Sequence, residues 1–291
     1  MPRLDEIQIR DPYVLAEPDE GAYYLFGSTD ADIWAGPGKG FDCYRSTDLA
    51  VWEGPIEAFR PPEDFWSSTQ FWAPECHPYR GRWYLLATFG VPAGDRRGTQ
   101  VLVADRPEGP YVPWSDGPVT PPEWLCLDGT LHVAEDGQPW MVFCHEWMQC
   151  SDGEVCAVRL SEDLHTAVGD PVVLFRGSAA PWARSFGEHA GGPAFVTDGP
   201  FLHRTQEGAL LMLWSSFGEQ GYAMGVAESE SGTVVGPWRQ RSQPVWGEDG
   251  GHGMAFRTFD GRLWLTLHSP NTTPHERATF VPLTDDLHRA D

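Results

Sequence analysis

The chain has 291 residues and a formal net charge of −22, from 42 acidic and 20 basic residues, and Lys39 is its only lysine. That balance excludes nucleic acid and anionic membranes as partners, because both require clustered Lys and Arg. Hydrophobic residues make up 41%, with 14 Trp and 15 Phe for a core, while 32 Gly and 26 Pro along the chain favour short strands and many turns over helices.

In chain order, five segments share one plan: a polar or charged residue, a short apolar strand, a polar turn with Gly, and a second, strongly apolar strand. They read "RDPYVLAEPDEGAYYLFGST" (10–29), "APECHPYRGRWYLLATFG" (73–90), "LDGTLHVAEDGQPWMVFCHE" (127–146), "TDGPFLHRTQEGALLMLWSS" (197–216) and "GHGMAFRTFDGRLWLTLHSP" (251–270). The turns fall in register and carry hairpin chemistry. The leading residues Asp11, Glu75, Asp128, Asp198 and His252 are separated by 64, 53, 70 and 54 residues, which leaves room for two more strands per unit. Outer strands are expected within 42–52, 99–105, 154–164 and 221–229, and two units end alike in "EGPYVPW" (108–114) and "VGPWRQ" (235–240). The expectation is an all-β protein: a five-bladed β-propeller with four antiparallel strands per blade, one domain spanning 1–291.

In a propeller the first strand of each blade lines the central channel. The five leading residues are therefore expected to ring one pocket, where carboxylates at close range raise each other's pKa. A carboxylate before a turn also has the plainer role of capping it.

Six cysteines (Cys43, Cys76, Cys126, Cys144, Cys150 and Cys156) contain no C-x-x-C pair and read as free thiols. The N-terminus "MPRLDEIQIRDPYV" has no apolar signal region, so a cytoplasmic protein is expected, with no membrane-spanning segment. The Gly-rich loop 28–44 lacks the spacing of a phosphate-binding loop.

The ordered set "RDPYV", "FWAPECH", "LDGTLHVAEDGQPWMVF", "DGPFLHR" and "GGHGMAF" resembles glycoside hydrolase family 43 over essentially the whole chain. The resemblance implies a propeller glycosidase that works by inversion, with Asp11 as general base and Asp128 as the carboxylate that orients the acid and tunes its pKa. The general-acid position falls on Asp198, where the family carries Glu. It also implies Trp72 as a pocket wall beside Glu75, and a histidine, His252, near an axial calcium or sodium ion, with no cofactor required for the chemistry. Glu75, His252 and Arg204 join Trp72 as expected substrate-binding residues. Further aromatic residues expected near the rim are Trp34, Trp66, Phe71, Trp124, Trp147, Trp182 and Phe217.

Replacing Glu by Asp withdraws the carboxyl by about 1.5 Å, and a misplacement near 1 Å can cost about 10²-fold in rate. Either the substrate sits closer and Asp198 works, or the acid comes from elsewhere, Glu188 in the preceding loop being the first choice and Glu75 the second, or glycans are bound without cleavage or cleaved only when the leaving group is good. The implied substrate is a small oligosaccharide, arabinofuranosyl or xylosyl, trimmed from its end by an α-L-arabinofuranosidase. The alternatives are a galactosidase, a glycoside phosphorylase using Arg184, His203 and Arg204 for phosphate, or a non-catalytic glycan-binding propeller.

Overall fold

The computed structural model describes residues 1–92 and 94–290. Five antiparallel sheets follow one another, each meandering outward from the axis in sequence order. Blade I comprises Arg10–Glu17, Ala22–Ser28, Phe41–Ser46 and Glu53–Phe59. Blade II comprises Thr69–Tyr79, Arg82–Gly90, Arg97–Ala104 and Val112–Pro118. Cys126–Val133, Pro139–His145, Glu154–Leu160 and Ala167–Arg176 form blade III. Asp198–Arg204, Leu210–Gly218, Gly221–Ser229 and Trp238–Gln240 form blade IV.

Blade V has three strands, Gly251–Arg257, Leu263–Ser269 and Arg277–Leu283. Its outermost place is taken from the other end of the chain: Gln8 bridges Arg277, and the Ile9 amide donates to the Glu276 carbonyl at 3.4 Å. The N-terminus thereby closes the ring. The segment expected as one strand over 42–52 is instead broken by a turn. Asp48 accepts from the amides of Ala50 and Val51, and Leu49 sits at φ 63°, so pairing resumes only at Glu53.

The middle strands are apolar on both faces because each blade is covered on both sides. Along Leu210–Gly218, Leu211 and Leu213 pack towards blade V with Leu265 and Leu267, while Met212 and Trp214 pack towards blade III with Val142 and Cys144. Period-two alternation thus divides one strand between two cores. Blades II and III share Leu86, Val101, Met141 and Phe143, and an aromatic cluster of Phe41, Phe59, Phe71 and Phe89 joins blades I and II. All six cysteines are free. Among the described residues the one α-helix is Trp147–Cys150, and no helix is long and apolar enough to cross a membrane.

One local device recurs five times. Each inner strand begins with a bulge at which pairing slips, between Arg10 and Tyr13, Trp72 and Glu75, opposite Val142–Cys144, between Asp198 and Phe201, and between Gly251 and Gly253. At each bulge one residue is left-handed: Asp11 (φ 51°), Ala73 (47°), Asp128 (57°), Gly199 (52°) and His252 (42°). Bulges of this kind re-aim side chains beside active sites.

Candidate active site

The bulges correct the register read from sequence. The structurally equivalent residues are Asp11, Ala73, Asp128, Gly199 and His252, so Asp198 stands one place earlier, level with Arg10, Trp72, Leu127 and Gly251. Glu75 stands two places later, level with Tyr13. It lies away from the cavity wall, hydrogen-bonded to His77 Nε2 at 2.9 Å, with the Tyr13 hydroxyl 3.5 Å from the other ring nitrogen. The expected ring of four carboxylates and a histidine is therefore a ring without Glu75.

The left-handed residues are tied in a hoop. Four of their amides donate to the second strand of the preceding blade: Asp11 to His268 Nδ1 (3.2 Å), Ala73 to Ser28 Oγ (2.9 Å), Asp128 to Thr88 Oγ1 (2.8 Å) and His252 to Ser215 Oγ (2.8 Å). The equivalent residue of blade III is Cys144, paired opposite Leu127, whose sulfur is a weak acceptor. The Gly199 amide turns instead to Asp128 Oδ2 at 3.1 Å. Gly199 admits no side chain, since a Cβ would lie 2.4 Å from His252 Cδ2.

Above the hoop opens a cavity of about 630 Å³ whose floor carries Asp11, Asp128, Asp198 and His252. Its walls are Trp34, Trp72, Trp147, Phe186 and Phe217 together with Arg10, Glu146 and Tyr222. His252 Nδ1 lies 3.1 Å from Asp11 Oδ1 and 3.6 Å from Asp128 Oδ2. Burial disfavours the imidazolium, but the two carboxylates outweigh it and raise its pKa to about 10. Burial likewise pushes Asp11 up, yet His252, then Arg10 and His268, hold it well below the ordinary carboxylate range. Its Oδ2 accepts from Ser28 Oγ at 2.6 Å. His268, buried beside Arg10, is driven down to about 3. As a neutral ring it accepts from the Asp11 amide through Nδ1 and donates to Asn271 Oδ1 through Nε2.

Asp128 and Asp198 move the other way. Burial raises both, the charges of Asp198 and Asp11 raise Asp128 and that of Asp11 raises Asp198, so between them they hold a proton beyond the usual carboxylate range. Asp198 Oδ2 accepts from the Tyr222 hydroxyl at 2.7 Å. It is therefore a floor residue of the cavity and not a turn cap.

Three cavity residues, Glu146, Arg10 and Tyr222, were not singled out in the sequence. Glu146, at the end of the second strand of blade III, forms a buried ion pair with Arg97, which also donates to Gln70 Oε1 and lies 4.7 Å over the Trp72 ring. Arg10 pairs with the buried Glu276 at 3.0 Å and lies 5.1 Å from the Trp34 ring. Tyr222 comes from the third strand of blade IV. None of these partners is near its mate in sequence.

Other expectations are redistributed. Trp34, Trp72, Trp147 and Phe217 line the cavity, but Trp182 and Phe71 are core, Trp66 packs against the core of blades I and II, and Trp124 stacks on His145. Glu188 is exposed on a two-residue ribbon, Glu188–His189 with Gly192–Pro193, outside the cavity lining. Arg204 is at the far end of its inner strand, bonded to the carbonyls of Gly208 and Gly232. His203 bonds the Asp285 carbonyl and Arg184 the carbonyls of Pro181 and Ala183, so no phosphate cluster of these three residues forms.

Around His252 the Nδ1 faces the carboxylates of Asp11 and Asp128 and the ring lies against Gly199, so this nitrogen is engaged by protein groups. Among the described residues the grouping with metal-ligand spacing is His145, Cys150 and Glu154, behind the cavity wall. There His145 is already engaged by Glu154 at 3.0 Å and Gln149 at 2.9 Å.

A carboxylate held ionised and a carboxyl pair that keeps a proton, over an aromatic-walled pocket at the end of a propeller axis, are the equipment of a glycosidic-bond hydrolase. The family model described as "Glycosyl hydrolases family 43" matches residues 6–285. The chain belongs to that family. Its structure superposes on an endo-arabinase from Bacteroides thetaiotaomicron VPI-5482 with a TM-score of 0.89 at 40% identity, covering 97% of this chain and 96% of that one. An α-L-arabinofuranosidase from Lactobacillus brevis shares the fold at 19% identity, with a TM-score of 0.75 and coverage of 99% and 97%. Xylosidase/arabinosidase 43A of Humicola insolens is 34% identical over 91 residues, which span 29% of this chain and 26% of that protein.

Proposed function

We propose that the protein is an inverting, exo-acting hydrolase of arabinofuranosyl oligosaccharides, an α-L-arabinofuranosidase, with Asp11 as general base and Asp198 at the acid position. The observation that carries this reading is the placement of Asp11, Asp128 and Asp198 in one pocket with His252 3.1 Å from Asp11: His252 holds Asp11 ionised, while burial and the charge of Asp11 favour a proton on the Asp128–Asp198 pair. Asp11 takes a proton from water as the water oxygen attacks the anomeric carbon, and the leaving oxygen is protonated from the opposite side. Asp128, held by the Gly199 amide, repels charge on Asp198 and so delays its ionisation. Trp34 and Trp72, edge to face at 5.5 Å, present an apolar wall to the C–H face of the sugar.

Aryl and oligomeric α-L-arabinofuranosides and β-D-xylosides, assayed with and without phosphate and followed by NMR of the anomer first released, test this directly. Release of the inverted arabinose, independent of phosphate and abolished in Asp11→Asn, is expected. Full activity in both Asp11→Asn and Asp198→Asn would remove the assignment. A second reading, internal cleavage of arabinan, is favoured by the name of the 40% identical neighbour, an endo-arabinase. Mixed oligomers released from linear arabinan, in place of monomer alone, would establish it.

A further inference from the structure

The carboxyl of Asp198 is one methylene shorter than the family's Glu, and the structure places a hydroxyl in front of it. Tyr222 is fixed on three sides. Its ring stacks on His268 at 5.7 Å and 18°, meets the edge of Phe217 at 5.8 Å, and fills the space above Gly251, where a Cβ would lie 2.7 Å from the ring. Gly251 is the blade V equivalent of Arg10, Trp72, Leu127 and Asp198, so the tyrosine occupies the side-chain place that this glycine leaves empty. So fixed, the ring lines the cavity and its hydroxyl meets Asp198 Oδ2 at 2.7 Å.

We propose that Tyr222 hands the proton to the leaving oxygen and that Asp198 is the proton source behind it. This deepens the hydrolase reading and rests on it. When the glycosidic bond breaks, its electron pair stays on the leaving oxygen, which takes the phenolic proton. The hydroxyl, which donates to Asp198 Oδ2 in the structure, turns to the leaving oxygen when substrate is bound, and the phenolic oxygen then takes the carboxyl proton of Asp198, which is left as a carboxylate. On the other face Asp11 receives the proton of the attacking water, whose oxygen bonds to the anomeric carbon. One water is added across the bond, nothing is oxidised, and the proton on Asp11 returns to Asp198 through cavity water before the next turnover. Burial raises the Tyr222 pKa well above its usual value, so the phenol is neutral when the relay fires.

The test compares wild type, Tyr222→Phe, Asp198→Glu/Tyr222→Phe and Asp11→Asn on an arabino-oligosaccharide and on 2,4-dinitrophenyl α-L-arabinofuranoside, whose leaving group needs no proton. Tyr222→Phe is expected to lower kcat on the oligosaccharide about 10²–10³-fold, in the range of general acid catalysis, with KM nearly constant and less than about tenfold loss on the activated substrate. Asp198→Glu in that background restores the missing reach and is expected to recover about tenfold or more on the oligosaccharide alone. Equal losses on both substrates, or unchanged kcat with only a displaced alkaline limb, would mean that Tyr222 merely holds Asp198, and would overturn the relay. A wild-type enzyme that cleaves neither substrate overturns the hydrolase reading and the relay together, whereas activity lost in Asp11→Asn but kept in Tyr222→Phe overturns the relay alone.

Discussion

Replacing Arg97 by Met removes the cation paired with Glu146 while preserving most of the apolar stem that lies over Trp72. Both side chains are buried, 4% and 10% exposed, so water cannot take over the lost interaction. Breaking a buried ion pair from one side costs about 3–5 kcal/mol, because the remaining charge is uncompensated. For a chain of this size about 2 °C of Tm accompanies each kcal/mol, so a fall of roughly 6–10 °C is expected at pH 8. Glu146 is already pushed up by burial and by Asp198 against the pull of Arg97. Without Arg97 it takes a proton more readily, and the loss shrinks on acidification by up to about 1.4 kcal/mol per pH unit. Glu146→Gln alone leaves Arg97 stranded and costs a similar amount, while Arg97→Met/Glu146→Gln costs clearly less than the two together. Thermal unfolding of the four proteins at pH 5 and pH 8 measures the cycle. Additive losses, with a coupling below about 0.5 kcal/mol, or an Arg97→Met loss that does not vary with pH, would refute the reasoning.

His252 has a folded pKa of about 10 against 6.5, so its stabilising contribution is complete below pH 6.5 and disappears as pH rises towards 10; urea unfolding across that window should show stability falling, and His252→Gln should flatten it. His268 is the opposite case: its folded pKa of about 3 makes stability fall as pH drops from 6.5 towards 3, and His268→Asn should flatten the acid side. Asp128→Asn leaves Asp198 to titrate without the partner carboxyl that shares the pair's proton, so the alkaline limb of kcat/KM should move to lower pH and kcat should fall at least about tenfold. Gly199→Ala combines a left-handed backbone with a Cβ driven into His252, and should lower kcat about 10²-fold, with an imidazole NMR shift reporting the displaced ring. Cys144→Ser supplies the acceptor that blade III lacks. The Gly199 amide should then divide between the introduced hydroxyl and Asp128, lowering kcat a few-fold at unchanged or higher Tm.

The propeller was legible because its signal is repetition. Five hairpins with Gly turns in register need a common sheet, and the strand at 221–229 runs over the residues expected. The register within the repeat was not legible. A bulge adds a residue without changing composition, so Asp198 and Glu75 looked equivalent to Asp11 although they lie one place before and two places after its structural counterparts. Three of the floor residues, Asp11, Asp128 and His252, occupy the left-handed place of their blades, and the pattern found them. Glu146, Arg97 and Tyr222 come from second and third strands, whose pattern is otherwise apolar; Arg97 meets Glu146 across blades II and III, and Tyr222 meets Asp198 across the sheet of blade IV. Glu188 looked close because it precedes Asp198 by ten residues, but the ribbon that carries it runs over the surface.

The division of labour among the carboxylates follows from how the cations are distributed. Asp11 has His252 at 3.1 Å, Glu276 has Arg10 at 3.0 Å, and Glu146 has Arg97. Asp128 and Asp198 share what is left of His252 and are the pair pushed upward together. No residue has to be intrinsically acidic or basic for this to work, since all three of Asp11, Asp128 and Asp198 are aspartates differing only in their neighbours. The blade repeat supplies five backbone positions of one geometry, and the side chain placed at each decides which carboxylate is neutralised by a cation and which by a proton. A pocket arranged in this way is close to neutral inside a strongly anionic molecule, which matches an uncharged sugar. It also explains why the tyrosine stands before Asp198 and not before Asp11: a phenol can pass on a proton only from a neighbour that still holds one.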